Sequence, residues 1–159
     1  MNIHLQFKNI IDEPRCTIRI NNHILFSGIV QPQHVFDVVV PQDMCQLTIE
    51  HWDKLPEHTI VEQGVIVRDR SFELERCCLD GYDLQELIWL SRFVADNGEV
   101  YQSCLYFGPN GQFQLNFENP PLRWILRTRH ERNNNDPGWE EDFEYYQQAC
   151  KRLQLMLIK

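Results

Sequence analysis

Only seven glycines occur in the 159 residues, and none are grouped into a glycine-rich strand-to-helix turn, which excludes the loops that cradle phosphates. No apolar run approaches the roughly 18 residues a membrane helix needs, so no membrane partner is expected. Residues 1–8 alternate apolar and polar from the second position onward and lack the continuous apolar core of a secretion signal. Basic residues are outnumbered, 15 Lys and Arg against 23 Asp and Glu, for a net charge of −8. Nucleic-acid binders draw nonspecific affinity from basic surfaces that displace counterions, so no nucleic acid partner is expected either. One stretch is locally basic: Arg123, Arg127, Arg129, His130 and Arg132. It reads as a strand edge and loop that answer the acidic remainder.

Catalytic patterns are equally sparse. No Gly-x-Ser-x-Gly elbow holds a nucleophile on a turn. The six cysteines, Cys16, Cys45, Cys77, Cys78, Cys104 and Cys150, stand mostly at apolar positions of strand-like runs. A chain of this size does not need disulfide staples, and thiols buried in apolar strands are inert. Zinc sites want Cys or His at short fixed spacings, whereas Cys77 and Cys78 are adjacent and should point to opposite faces of a strand. Asp80 and Asp83 with nearby Glu residues offer oxygen ligands for calcium, but a turn and a helix cap explain them. His51, Trp52, Asp53 and His58 suit a polar pocket or a loop edge. The expectation is a non-enzyme with no cofactor and no metal.

What is present is period two. Ile3, Leu5 and Phe7 alternate with polar residues, as do Cys16, Ile18 and Ile20. Asn21-Asn22 tolerates the positive φ of a tight turn and predicts a hairpin returning over 23–27. Phe36, Val38 and Val40, the turn Pro41-Gln42-Asp43, and then Cys45, Leu47 and Ile49 predict a second hairpin. Ile60-Val61 and Val65-Ile66-Val67 flank Glu62-Gln63-Gly64 as a third pair, and Phe72 opens a strand ending at Asp80-Gly81. Leu84, Leu87, Ile88 and residues 90–94 suit a short helix, with Asp83 as cap and Glu86 three residues on. Beyond Asn97-Gly98, the residues Tyr101, Ser103, Leu105 and Phe107 alternate up to the turn Gly108-Pro109-Asn110-Gly111. Phe113, Leu115 and Phe117 make its return strand, and a further strand is predicted at 123–128.

After the loop at 133–138 the periodicity changes. Trp139, Phe143, Tyr146, Cys150, Leu153 and Leu157 recur at spacings of four, three, four, three and four, one apolar stripe of a helix near 138–157. Acidic residues stand near its start and Lys151, Arg152 and Lys159 near its end, as the helix dipole favours. The candidate partner contacts are Trp139, Phe143, Tyr146, Leu153, Leu157 and Ile158. The expected architecture is mostly β: an antiparallel, jelly-roll-like β-sandwich over 1–132, with a short helix near 84–94. Residues 133–159 follow as a loop and C-terminal amphipathic helix, packed on the same domain or on a neighbour.

Three segments, residues 45–54, 65–70 and 72–81, resemble the central strands of jelly-roll modules related to carbohydrate-binding domains. The carrying features are Leu47-Thr48-Ile49-Glu50-His51 before a loop and the Asp80-Gly81 turn at a later strand end. Similar small sandwiches occur in tailed-phage virions as decoration, baseplate and fibre-associated proteins, and the resemblance spans about residues 35–120. No calcium-ligand set or sugar-stacking aromatic of such modules matches residue by residue, and the terminal helix is additional to a minimal sugar-binding module. The resemblance therefore implies a non-enzymatic structural or accessory component of a phage particle, made in the host cytoplasm and located in the virion. Its expected partners are other virion proteins and further copies of itself. Alternatives are a carbohydrate-binding module with a glycan partner, suggested by Trp52, Tyr82, Tyr106, Phe107, Trp124 and Trp139 near strand ends, and a small acidic inhibitor of a host protein.

Overall fold

The computed structural model describes residues 1–132. Its strands are β1 (Asn2–Ile11), β2 (Arg15–Ile20), β3 (His23–Ile29), β4 (Gln33–Asp37), β5 (Met44–His51), β6 (Thr59–Glu62) and β7 (Val65–Asp69). They continue with β8 (Ser71–Leu79), β9 (Tyr82–Asp83), β10 (Arg92–Ala95), β11 (Val100–Gln102), β12 (Tyr106–Phe107) and β13 (Gly111–Glu118). Helix α1 (Pro121–Arg132) closes the described chain. One sheet has five strands, ordered β12-β8-β1-β4 with β9 also on β8, and the other six, ordered β11-β10-β13-β5-β2-β3. The β6–β7 hairpin forms a sheet of its own.

Alternation decides which side chains meet between the two larger sheets. Ile3, Leu5, Phe72, Leu79 and Phe107 from the five-stranded sheet are fully buried, as are Ile18, Leu47, Ile49, Phe93, Phe113 and Leu115 from the six-stranded one. Rings cross the gap: Phe107 meets Phe93 edge-on at 5.5 Å, and His51 meets Phe72 at 5.4 Å. Phe72 and Phe107 stack at 4.4 Å on neighbouring strands. The fold is mostly β, a β-sandwich of antiparallel sheets around an aromatic core.

Several expected elements differ. The hairpin over 16–27 forms, with Asn21 at φ 52° in its turn, and so does the β6–β7 pair. The expected second hairpin does not: β4 pairs with β1 and β5 with β2, in different sheets, so residues 38–43 are a crossing between layers. The turn at 108–111 likewise joins β12 in one sheet to β13 in the other rather than closing a hairpin. Period two reveals that a segment is a strand but not which sheet it enters, because both inner faces want the same apolar residues. Glycine is required at position 111 of that crossing, where a side chain would meet backbone, whereas at 108 it would meet the outer end of the Tyr106 ring. A Cβ on Gly108 would lie 2.4 Å from the Tyr106 ring, and one on Gly111, at φ 154°, 2.4 Å from the Val94 carbonyl oxygen.

The helix expected near 84–94 is a 3-10 helix over Gln85–Leu90, followed by strand β10. Buried Phe93 and Ala95 alternate with the less buried Arg92 and Val94, a period-two burial that the apolar Val94 conceals in the sequence. The strand expected over 123–128 is instead the middle of α1. Trp124, Ile125 and Thr128 are buried, spacings of one and three that belong to a helix face, and Pro121 opens the helix where its missing N–H costs nothing. The described residues divide into two compact units, Met1–Phe117 and a second that begins at Glu118. Within the second, Arg127 bridges Glu118 and lies 3.7 Å from Glu131 one turn on.

Candidate functional site

Two surfaces of the first unit concentrate polar chemistry or exposed apolar area. The first is the β6–β7 hairpin and its base. Ile60, Val61, Val65, Ile66 and Val67 are all exposed, Val65 and Ile66 by 64% and 60%. Register pairs Val61 with Ile66 and Glu62 with Val65. Neighbouring residues of a strand face opposite ways, so apolar side chains emerge on both faces of the hairpin.

Charge pairs fasten this hairpin at its root. Lys54 Nζ lies 2.5 Å from Asp69 Oδ1, which also accepts the Thr59 hydroxyl at 2.7 Å, while Tyr106 donates to Asp69 Oδ2 at 3.0 Å. Burial alone would raise the Asp69 carboxyl, but the donors Lys54, Thr59 and Tyr106 outweigh it and hold it below the usual carboxylate range. Arg68 forms a forked pair with Asp12, and its hydrogen bonds hold the Asp12 carboxyl low as well. Asp53 accepts from Arg70 Nη1 at 3.0 Å and from the Arg15 backbone at 3.1 Å. Asp12, Glu13, Glu57, His58, Ile60, Arg68 and Arg70 line a shallow cavity of about 430 Å³ beside the root.

His51 sits beneath this cluster, fully buried. Its Nδ1 is 3.1 Å from the Pro109 carbonyl, which only accepts, so Nδ1 carries the proton of the neutral ring. Nε2 then presents a lone pair 3.7 Å from Asp53 Oδ1 and meets no hydrogen-bond partner among the described residues. Burial pushes the imidazole pKa down, ahead of the opposing pulls from the Pro109 hydrogen bond and Asp53, and the ring stays neutral.

The second surface is the outer face of the six-stranded sheet. Arg92 Nε donates to Gln114 at 2.9 Å, Gln114 to Gln112 at 3.3 Å, and Gln112 to Glu50 at 3.5 Å. Arg19 completes the row on Glu50 at 2.6 Å. Gln46 donates to Asn116 at 2.9 Å and accepts from Thr48 at 3.4 Å. The residues alternate with the buried Phe113, Leu115, Leu47 and Ile49, so the ladder is the solvent side of the strands that make the core. Sequence reasoning passed over it, although the Gln-x-Gln-x-Asn spacing at 112–116 already marked one polar stripe.

The expected partner contacts Trp139, Phe143, Tyr146, Leu153, Leu157 and Ile158 lie outside the described residues. Among the aromatics, Phe107 and Trp124 are buried, whereas Trp52, Tyr82 and Tyr106 are each a little over 40% exposed. Asp80 accepts the Asn2 backbone N–H, and Asp83 is engaged by Arg76 and the Gln85 backbone in turn contacts. The expected Asp83 cap is not formed, since Leu84 is the N-cap of the 3-10 helix and makes no side-chain cap bond. Cys16, Cys45, Cys77 and Cys78 are buried thiols, and burial pushes Cys16 up to about 12.

Two antiparallel sheets around a shared core define the chain as a β-sandwich-like fold. A solved structure described as "vCBM60 in complex with galactobiose", a carbohydrate-binding module, is a structural neighbour with a TM-score of 0.48 and 9% identity. The similarity covers 72% of this chain and 97% of that one. No family model matches the chain, and neither does any curated protein.

Proposed function

We propose that the chain is a non-enzymatic structural or accessory component of a tailed-phage particle, a rigid jelly-roll-like block that acts through protein–protein contacts. One observation carries this reading: the β6–β7 hairpin is rooted by ion pairs yet holds five Ile and Val side chains out to solvent on both faces. A two-stranded hairpin is marginal alone, and exposed apolar surface of this kind marks interaction sites. In this reading the candidate contacts Trp139, Phe143, Tyr146, Leu153, Leu157 and Ile158, outside the described residues, add a second contact. Mass spectrometry of what co-purifies with the chain from its native source tests it. Virion proteins are expected, reduced when Val61 and Ile66 are both changed to Lys; a host protein alone would overturn the reading in favour of an inhibitor.

A second reading, glycan binding, is favoured by the amide ladder. Gln112, Gln114, Gln46 and Asn116 present paired donors and acceptors beside Glu50 and Arg92, a set suited to sugar hydroxyls. Trp52 lies two residues beyond Glu50 and is exposed, in position to offer a flat ring to a sugar. A glycan array on the full chain, repeated with Gln112→Ala, decides it. No hit removes this reading, and hits unaffected by the substitution move it off this face.

A further inference from the structure

We infer that β7 pairs antiparallel with β7 of a second copy of this chain, about a twofold axis through Ile66, so that two hairpins become one four-stranded sheet. This names the partner of the contact surface proposed above and rests on that reading.

The first ground is the open edge. β7 bonds β6 on one side, and among the described residues no strand of either large sheet pairs with the hairpin. Proteins usually guard such edges with charge or proline, but Val65-Ile66-Val67 contains neither. Each of the three is more than half exposed.

The second ground is register. Within the hairpin Val61 stands opposite Ile66. An axis through Ile66 sets it against the second copy's Ile66, giving an unbroken apolar row, Val61, Ile66, Ile66 and Val61, across four strands. On the other face Val65 meets the second copy's Val67, and the reverse. Cross-strand pairs of β-branched residues are the favourable unit of sheet pairing. Moving the axis to Val67 would set Ile66 against Arg68 and Val65 against Asp69.

The third ground is charge. Two chains of net charge −8 repel, so copies meet best where the surface is locally neutral. The hairpin is close to such a place: Arg68 is paired with Asp12 and Asp69 with Lys54, and the remaining charge, Glu62, stands on β6, away from the proposed seam. In the proposed register Arg68 faces Gly64 and Asp69 faces Gln63, and no like charges oppose each other.

The full chain carrying Ile66→Cys tests the axis. Residues directly opposite in an antiparallel pair have Cα atoms about 4.5–5.5 Å apart, within the roughly 4.4–6.8 Å that a disulfide spans. Under mild oxidation Ile66→Cys should give a covalent dimer well above the background of the wild-type chain. Val65→Cys alone should not, whereas a mixture of Val65→Cys and Val67→Cys chains should. Equal cross-linking by Ile66→Cys and Val65→Cys, or none above background, overturns the pairing.

Sedimentation velocity of the unmodified chain supplies the second measurement. Contacts below about 1,200 Å² are weak and transient, so the series extends to high micromolar concentration. Concentration-dependent dimer is expected, with dissociation at least tenfold easier in Ile66→Lys. A wild-type chain that stays monomeric overturns the second copy as occupant. If Ile66→Lys still lowers recovery of virion proteins in that case, the hairpin remains a contact surface for another partner; if it changes neither readout, both readings fail.

Discussion

The interior between the two large sheets and the β6–β7 hairpin are made from the same strand-forming vocabulary, yet they spend it in opposite ways. In the interior, β13 and the first part of β1 alternate apolar with polar side chains, and the apolar set meets a second sheet. In the hairpin Val65, Ile66 and Val67 run consecutively and meet no second layer. Burial holds the first region, whereas ion pairs at Lys54, Asp69, Arg68 and Asp12 hold the second. A strand pattern thus says how a segment folds, while whether a consecutive apolar run is covered depends on the layer it meets: Cys77-Cys78-Leu79 in β8 is buried, and Val65-Ile66-Val67 is not.

Substitutions should separate the regions sharply. Phe107→Ala removes a ring that packs on Phe72, Phe93 and Phe113, and should cost about 3–5 kcal/mol in chemical denaturation. A loss under about 1 kcal/mol would mean that the two sheets do not share a core. Asp69→Ala leaves Lys54, Thr59 and Tyr106 without their common acceptor and should cost about 1–3 kcal/mol. Its loss should be accompanied by faster amide exchange in residues 59–69 while the core stays protected, and uniform exchange would contradict a separately rooted hairpin.

Acid should tell the regions apart by pH window. His51 and His34 both have pKa values lowered in the fold by burial, from an ordinary 6.5. The unfolded chain then binds protons that the folded chain refuses, so stability should already decline as pH falls below 6.5. Asp69 has its pKa lowered by its donors, so its contribution is present above 3.8 and lost only as pH drops below that. Melting temperatures across pH should show the first decline in the core; His51→Gln should lessen it, and an unchanged slope would remove His51 as its source. The smallest effect is expected at Ile66→Thr, an exposed position, where stability should stay within about 0.5 kcal/mol by the same denaturation assay.

Much of this architecture was legible from alternation alone. β1, β2, β5 and β13 announce themselves by apolar residues at every second place over most of their length, and β8 does so only at Phe72 and Leu74. Partner choice was not legible: the most recognisable turn, 108–111, carries the chain from one sheet to the other because an inward-facing Phe107 and an inward-facing Phe113 look identical in sequence. β10 and α1 differ from expectation for a related reason, since Phe93-Val94-Ala95 does not alternate and follows the apolar Leu87-Ile88-Trp89-Leu90 closely, and Trp124, Leu126 and Thr128 fit period two as well as a helix. Of the surfaces, the hairpin was visible as paired strands but its exposure was not, and the amide ladder went unnoticed because polar positions opposite a core seem to need no explanation.

The crossings have a kinetic corollary. Because β1, β4, β8, β9 and β12 share one sheet while β2, β3, β5, β10, β11 and β13 share the other, neither sheet is built from consecutive strands alone. Sandwiches dominated by distant pairings close long loops before contacts repay them, and typically fold over milliseconds to seconds. A nascent chain released before β13 would lack a central strand of its larger sheet, so this protein should acquire its native structure late, in a single cooperative step.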